Sequence, residues 1–432
     1  MPKTSPVPNA RATPRLAWIA LGLLLLLSFS LDLRNTLAGG AIDLRNRITG
    51  ARLLAAHLDP YFYKWQEPAP PEFADPYNNP LLPVSKTTAT PALLVAQMPF
   101  ALLPYRLAQL SWLAAQWLLL LGTAALWWRR CATARQRLLL AIFVIGFTYT
   151  AAWRLHAERG QAYVLLAFLF AAWLALTLDN RARNGWLAGL CAGFLAALRP
   201  PFLLLAPFLL VHRRRQLPGA AVGLLIGLLL PLFFRVDAWN KYAAAMDLHS
   251  YFYRYAIDPA PPHETFPPVI EGMPTDLLAN YAPIPYADFS LHGALARLGW
   301  EPIPAWPPLF LVAAGYLAWL WFSRRGEGTR LLLGTACWLF LADLCLPAYR
   351  NIYNDVYVLN VVALALLAGR DRVPWGARIC FIALPLGWAM AWFAPRRDLL
   401  TDLPSLLFTA GTALLLFWFN FPADPRKVNA PC

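Results

Sequence analysis

The chain has 432 residues, of which 59% are hydrophobic and only 14% charged. Soluble domains carry about 25% charged residues, so the composition excludes an ordinary soluble enzyme and indicates a membrane protein. A net charge of +14 would suggest nucleic acid in a soluble chain. Here the arginines stand in short loops between apolar runs, where they orient membrane spans, and no nucleic-acid partner is expected.

In chain order, residues 1–15 are basic and are read as a cytoplasmic N-terminus. The apolar run 16–32 follows. It resembles a signal peptide but is long for one, and Asp32 and Arg34 separate it from the small residues "LAGGA"; it is read as an uncleaved first span. Further apolar runs lie near 107–128, 138–152, 162–178, 186–211, 217–234, 306–322, 330–347, 354–369, 376–394 and 404–420. The short basic loops between them, with the two termini, hold more than half of the 37 Lys and Arg residues and few of the 23 acids, which assigns them to the cytoplasm.

The run 186–211 has "DNRARN" before it and "HRRRQ" after it. Both ends belong on one side, so the segment is expected to be a tight hairpin turning at Pro200–Pro201. Segment 91–104 is read as a short helix on the outer surface, ended by Pro104. The predicted fold is all-α: a polytopic transmembrane bundle of about twelve spans, with extracytoplasmic loops and juxtamembrane helices. Both termini, including a tail at 421–432, are expected inside. The long polar segments, 33–106 and 235–305, then fall outside, and residues 371–420 add C-terminal spans to a core at 16–370.

The tetrapeptide Asp-Leu-Arg-Asn stands twice, at Asp32–Asn35 and Asp43–Asn46. Asp32 is expected to end the first span at the lipid head groups. Asp43 is expected to cap an amphipathic helix in the membrane plane, with Leu44, Ile48, Ala51, Ala55 and Leu58 at helical steps. The six cysteines form no CxxC pair, the histidines show no metal spacing, and neither a disulfide framework, a metal nor a cofactor is expected. No P-loop or GxGxxG strand is present.

Ionisable groups at membrane depth are rare and usually functional. Four sets stand out on the expected outer side: Asp43 with Asp59; "WRLHAERGQ" at 153–161; Arg199 at the hairpin turn; and "DLCLPAYRNIYND" at 343–355. Each has a plainer reading. Asp43 serves as a helix cap, 154–159 as a solvated turn, Arg199 as an anchor at the head groups, and Arg350 as a tie to Asp343 or Asp355. Together they describe an outer cavity with several arginines and a carboxylate. Arginine binds phosphate bidentately, and a carboxylate can take a proton from an attacking hydroxyl. A lipid phosphate with its head in that cavity fits this set.

The stretches "DLRNRITGARLLAAHLDPY", "ERGQAYVLLAFL", "GWLAGLCAGFLAALRPPFLLLAPFLL" and "DFSLHGALARLG" resemble the GT-C superfamily of polyprenyl-phosphate-sugar glycosyltransferases, closest to family 87, the mannosyltransferase-like group. The resemblance covers roughly residues 16–370. It implies an inverting transferase of the plasma membrane that moves mannose or another hexose or pentose from a polyprenyl-phosphate donor to a lipid or glycan acceptor on the outer face. It places the family's catalytic base on Asp43 and a donor-phosphate contact on Arg199. Arg159, Arg350 and Gln161 are further donor-phosphate candidates, and Asp59 and Glu158 are alternative carboxylates. The outer turn "AYRNIYND" departs from the family in lacking a histidine. A transporter or lipid-carrier flippase and a non-catalytic envelope assembly protein are the alternatives; the first usually carries an internal repeat, and none is found.

Overall fold

The computed structural model describes residues 15–38, 41–63, 65–77, 87–179, 182–246, 290–297, 306–323, 328–345, 350–369, 372–393 and 403–420. The expectations for the N-terminus before Arg15, for the 421–432 tail and for most of the 235–305 loop lie outside these residues. Among the described residues the regular elements are helices. They are α1 (Arg15–Leu37), α2 (Ile42–Ala55), α3 (Pro91–Ala101), α4 (Tyr105–Trp128), α5 (Ala134–Phe147), α6 (Ala151–Arg159), α7 (Tyr163–Leu178), α8 (Ala182–Leu198), α9 (Leu205–His212) and α10 (Leu217–Leu229). There follow α11 (Leu291–Arg297), α12 (Trp306–Phe322), α13 (Gly328–Leu344), α14 (Val358–Ala368), α15 (Trp375–Phe393) and α16 (Leu403–Asn420).

The all-helical, apolar bundle agrees with the sequence. The span count is less complete. Three helical stretches, Arg15–Leu37, Tyr105–Trp128 and Arg214–Phe233, are long and apolar enough to cross a bilayer alone, and a fourth crossing results if α5 and α6, bent by 59°, form one broken span. The other apolar helices run 10–17 residues over their described parts. At 1.5 Å per residue these fall short of the ~20 residues a typical hydrocarbon core requires, so helix length does not establish about twelve crossings.

The hairpin is visible in how α8 meets α10. Gly185 lies beside Arg215, Gly189 beside Gln216, Gly193 beside Ala220 and Leu224, and Gly227 beside Ala197. Both chains ascend together, so α8 and α10 are parallel. The chain between them must therefore return the length of α8, and it does so through Pro200–Leu204 and α9. Arg199, extended at φ −148°, ψ 104°, is where direction changes, and at the other end Gly185 lies beside Arg215. Glycines at 185, 189 and 193 face glycines at 219, 223 and 227, a pairing that lets helix backbones approach closely. A Cβ on Gly189 would run into Gln216 O, just before α10, and one on Gly193 into Ala220 O of α10.

Two apolar cores result. The larger joins α4, α5, α7, α8 and α13–α16, with Trp127, Trp153 and Trp173 fully buried. Buried indoles need partners: Trp127 Nε1 donates to Asn360 Oδ1 at 2.8 Å and Trp173 Nε1 to Gln216 Oε1 at 3.0 Å. The smaller core packs α2 and α3 over the start of α4.

The smaller core corrects the reading of the apolar stripe of α2 as facing lipid. The stripe of Leu44, Ile48 and Ala51 is fully buried against protein, because Leu93, Leu94 and Tyr105 supply the apolar partner that lipid was expected to provide. The helix at 91–104 exists as α3 and stops at Ala101, while Pro104 instead stands at the N-terminus of α4. Thr90 starts α3 by accepting from Leu93 N, and its hydroxyl donates to Leu198 O at 3.0 Å, fastening α3 to the end of α8 just before Arg199.

Because the α8–α10 contact is backbone on backbone, Gly193→Leu is expected to lower the melting temperature in detergent by several degrees. Overpacking costs about 1–3 kcal/mol, and here no flexible side chain can yield. Gly22→Ala, where a Cβ meets nothing within 4 Å, should leave melting unchanged. Differential scanning fluorimetry on both variants is the check.

Candidate functional site

Helix α6 is short and carries four polar anchors on one turn-rich segment, Trp153, Arg154, His156 and Arg159. It ends at Gly160, which is left-handed at φ +68°. That conformation suits glycine. A side chain is excluded a second time because a Cβ would sit 2.7 Å from Leu44 Cβ. The tight cap brings Arg159, before the glycine, and Gln161, after it, to the same carboxylate.

That carboxylate is Asp43. Arg159 Nε donates to Asp43 Oδ2 at 2.6 Å and Arg159 Nη2 to Oδ1 at 3.1 Å, a bidentate fork. Gln161 Nε2 also donates to Oδ2. Asp43 is not the N-cap of α2. Ala41 holds that place in a left-handed conformation, and Asp43 lies in the first turn with its side chain turned to α6 instead. An acid there still benefits from the helix N-terminus. Ala41 is itself pinned: its N–H donates to Glu158 O, and its carbonyl accepts from Tyr105 Oη at 3.0 Å.

One residue of this cluster escaped the sequence reading. Arg47, one helical turn beyond Asp43 and 7% exposed, donates from Nη1 to Gln161 Oε1 at 2.9 Å and from Nη2 to Gly160 O. Trp112 Nε1 donates to the same carbonyl at 2.8 Å. Burial lowers the proton affinity of Arg47, and the nearby Asp43 offsets that. The i, i+4 spacing of Asp43 and Arg47 on a predicted helix was the available signal.

A second network lies where α8 and α13 end. Arg199 Nη2 donates to Asp343 Oδ1 at 2.5 Å and Nη1 to Tyr163 Oη at 3.1 Å, with its guanidinium 4.8 Å from the Tyr163 ring centre. Arg350 Nε donates to Asp343 Oδ2 at 3.1 Å and Nη2 to Asp355 Oδ1 at 2.6 Å. Asn354 and Ser405 donate to the same two carboxylates. Arg350 is thus a buried tie between Asp343 and Asp355, with its side chain 2% exposed, whereas that of Arg199 is 21% exposed. Beside Arg199 and Asp343 opens a small cavity walled by Phe170, Pro201, Phe202, Leu339, Phe340 and Tyr357.

Tyrosines join the two networks. Tyr163 lies 5.5 Å from Tyr353 and 6.2 Å from Tyr357, centre to centre, and stands two residues after Gln161. Asp43, Arg159, Gln161, Arg199 and Arg350 therefore gather at one end of the bundle. Two candidates do not join them. Glu158 is exposed and contributes its backbone carbonyl. Asp59 accepts from the N–H groups of Tyr61 and Phe62 and lies 3.5 Å from Lys241, closing its own turn.

Asp32 also departs from expectation. Helix α1 runs on to Leu37, and Asp32 is 1% exposed. It accepts from Trp153 Nε1 at 2.8 Å and Arg154 Nη1 at 2.5 Å. Both copies of the tetrapeptide thus give their aspartate to an arginine of α6: Asp32 to Arg154 and Asp43 to Arg159.

The apolar helices indicate a membrane protein, and one end of its bundle gathers paired arginines and carboxylates. Comparison with protein families makes the class specific. Residues 88–260 match the family model described as Glycosyltransferase family 87. The match supports a glycosyltransferase, consistent with the GT-C superfamily. The matched segment includes Arg159, Gln161 and Arg199 and begins after Asp43. No curated protein and no solved structure matches the chain.

Removing one member of a buried pair leaves the other charge uncompensated, at about 3–5 kcal/mol. Asp32→Ala is expected to destabilise the protein by that order, and Asp32→Leu combined with Arg154→Met to recover most of the loss. Thermal melting of the two variants decides this. Equal melting of Asp32→Ala and wild type would contradict the pairing.

Proposed function

We propose that the protein transfers a sugar, mannose or another hexose or pentose, from a polyprenyl-phosphate donor to a lipid or glycan acceptor on the outer face of the plasma membrane. The observation that carries this reading is Asp43, a carboxylate with its side chain 17% exposed, held in one orientation by Arg159 and Gln161 inside a glycosyltransferase. Oδ2 accepts two hydrogen bonds and Oδ1 one. Oδ1 is accordingly the oxygen for an acceptor's proton. Asp43 takes the proton of the acceptor hydroxyl, whose oxygen attacks the anomeric carbon. The bond from that carbon to the phosphate oxygen breaks, its electron pair leaves with the polyprenyl phosphate, and the anomeric configuration inverts.

Arg199 stabilises the charge that develops on the leaving phosphate. It is supported over Arg350 by its exposure and by the apolar cavity at its side, which suits the first part of a lipid chain. Arg159 and Gln161 serve the base, and Arg350 fixes Asp343, the carboxylate that holds Arg199 before donor arrives. The basic loops orient the bundle with this end outward and both termini inside.

Loss of a general base typically costs about 10²–10⁴-fold in rate. Asp43→Asn should fall by that order in sugar transfer while still binding donor. Arg199→Lys should lose donor affinity, since lysine lacks the planar fork, and Arg199→Ala more so. Steady-state transfer assays at matched protein amounts read both. Full activity in Asp43→Asn would remove Asp43 from the mechanism.

Orientation has its own check. Gln66 and Ala132 are exposed and belong to opposite sides. In a cysteine-free background an impermeant thiol reagent on intact cells should label Gln66→Cys and spare Ala132→Cys. The reverse pattern would invert the topology.

A further inference from the structure

We propose that Arg47 is a positioning residue for the transfer reaction, acting through the side-chain amide of Gln161. The inference rests on the reading of Asp43 as the base. A glutamine amide can point either way, and only its partners decide. A guanidinium has donors and no acceptor. With Arg47 Nη1 at 2.9 Å from the Gln161 oxygen, the carbonyl end of the amide must face Arg47, and the NH₂ end must face Asp43. Reversal would set the amide oxygen against the carboxylate and remove one of the two donors on Oδ2.

Arg47 also donates to Gly160 O, the carbonyl of the glycine that puts Arg159 and Gln161 on the same carboxylate. Trp112 Nε1 donates to the same carbonyl, so the turn keeps a donor without Arg47, and what Arg47 alone sets is the amide and, through it, the plane of the Asp43 carboxylate. Stability does not explain it. Arg47 is buried, its Nε has no hydrogen-bond partner, and buried charges are commonly neutral or costly relative to apolar groups of similar volume. A methionine would fill the same space without those costs.

The test uses the purified full-length protein in nanodiscs with a mannosyl-phosphate polyprenol as donor. Arg47→Met is expected to lower kcat by about 10²-fold, the scale of a small misplacement of a reacting group, with the donor KM unchanged. Arg47→Lys should restore part, since one ammonium can reach the amide oxygen but lacks the second fixed donor. The double variant Arg47→Met/Gln161→Ala should be no slower than Gln161→Ala alone, because residues acting as one unit are not additive. Gln161→Glu keeps the shape and turns the donor toward Asp43 into an acceptor. It should lose kcat to a similar degree, which keeps the inference testable if Arg47→Met fails to fold. Wild-type kcat in Arg47→Met or Gln161→Glu, or additive losses in the double variant, would overturn the inference. If Asp43→Asn alone stays fully active, the failure lies in the base assignment on which it rests.

Discussion

Charge in a low-dielectric bundle must be paired, and the pairing of arginines with carboxylates organises this protein. Burying an unpaired ion is costly. Helix α6 meets that constraint twice within one short segment, taking Asp32 of α1 through Arg154 and Asp43 of α2 through Arg159. The repeated tetrapeptide is thus two halves of one clamp. In the first half the carboxylate is fully buried and holds helices together; in the second both side chains are partly exposed.

The second constraint is close backbone approach. Glycines of α8 and α10 allow the two helices to run parallel in contact, and that forces the chain between them to double back at Arg199. The reversal carries Arg199 to the same end as the α6 clamp, and Thr90 fastens it by bonding to Leu198 O. The position of the phosphate-binding candidate therefore follows from glycines that are remote from any chemistry. Tyr163, two residues after Gln161, then accepts a hydrogen bond from Arg199.

Much of this was legible in the sequence, for identifiable reasons. Basic flanks at both ends of 186–211 implied a hairpin, because basic flanks obey a sidedness rule that needs no packing information. The resemblance to family 87 directed attention to Asp43 and Arg199. What failed was burial. Asp32 looked like the end of a span because its partner, Arg154, lies far along the chain. The apolar stripe of α2 looked lipid-facing because a hydrophobic stripe does not say whether lipid or protein covers it. Arg47 was missed because its i, i+4 spacing from Asp43 gains meaning only through Gln161, which comes from the turn between α6 and α7. Asp59 and Glu158, by contrast, were reasonable carboxylates by residue type, and local geometry gives them other work.

The central claim is that the arginine-lined end receives a lipid phosphate rather than a nucleotide. The most direct measurement is incubation of the purified protein with radiolabelled polyprenyl-phosphate sugars and, separately, with nucleotide sugars, following release of the carrier phosphate in the presence of a membrane extract as acceptor source. The account predicts enzyme-dependent release of polyprenyl phosphate with matching transfer of label to acceptor, and no turnover of nucleotide sugars. Turnover of nucleotide sugars alone would contradict it.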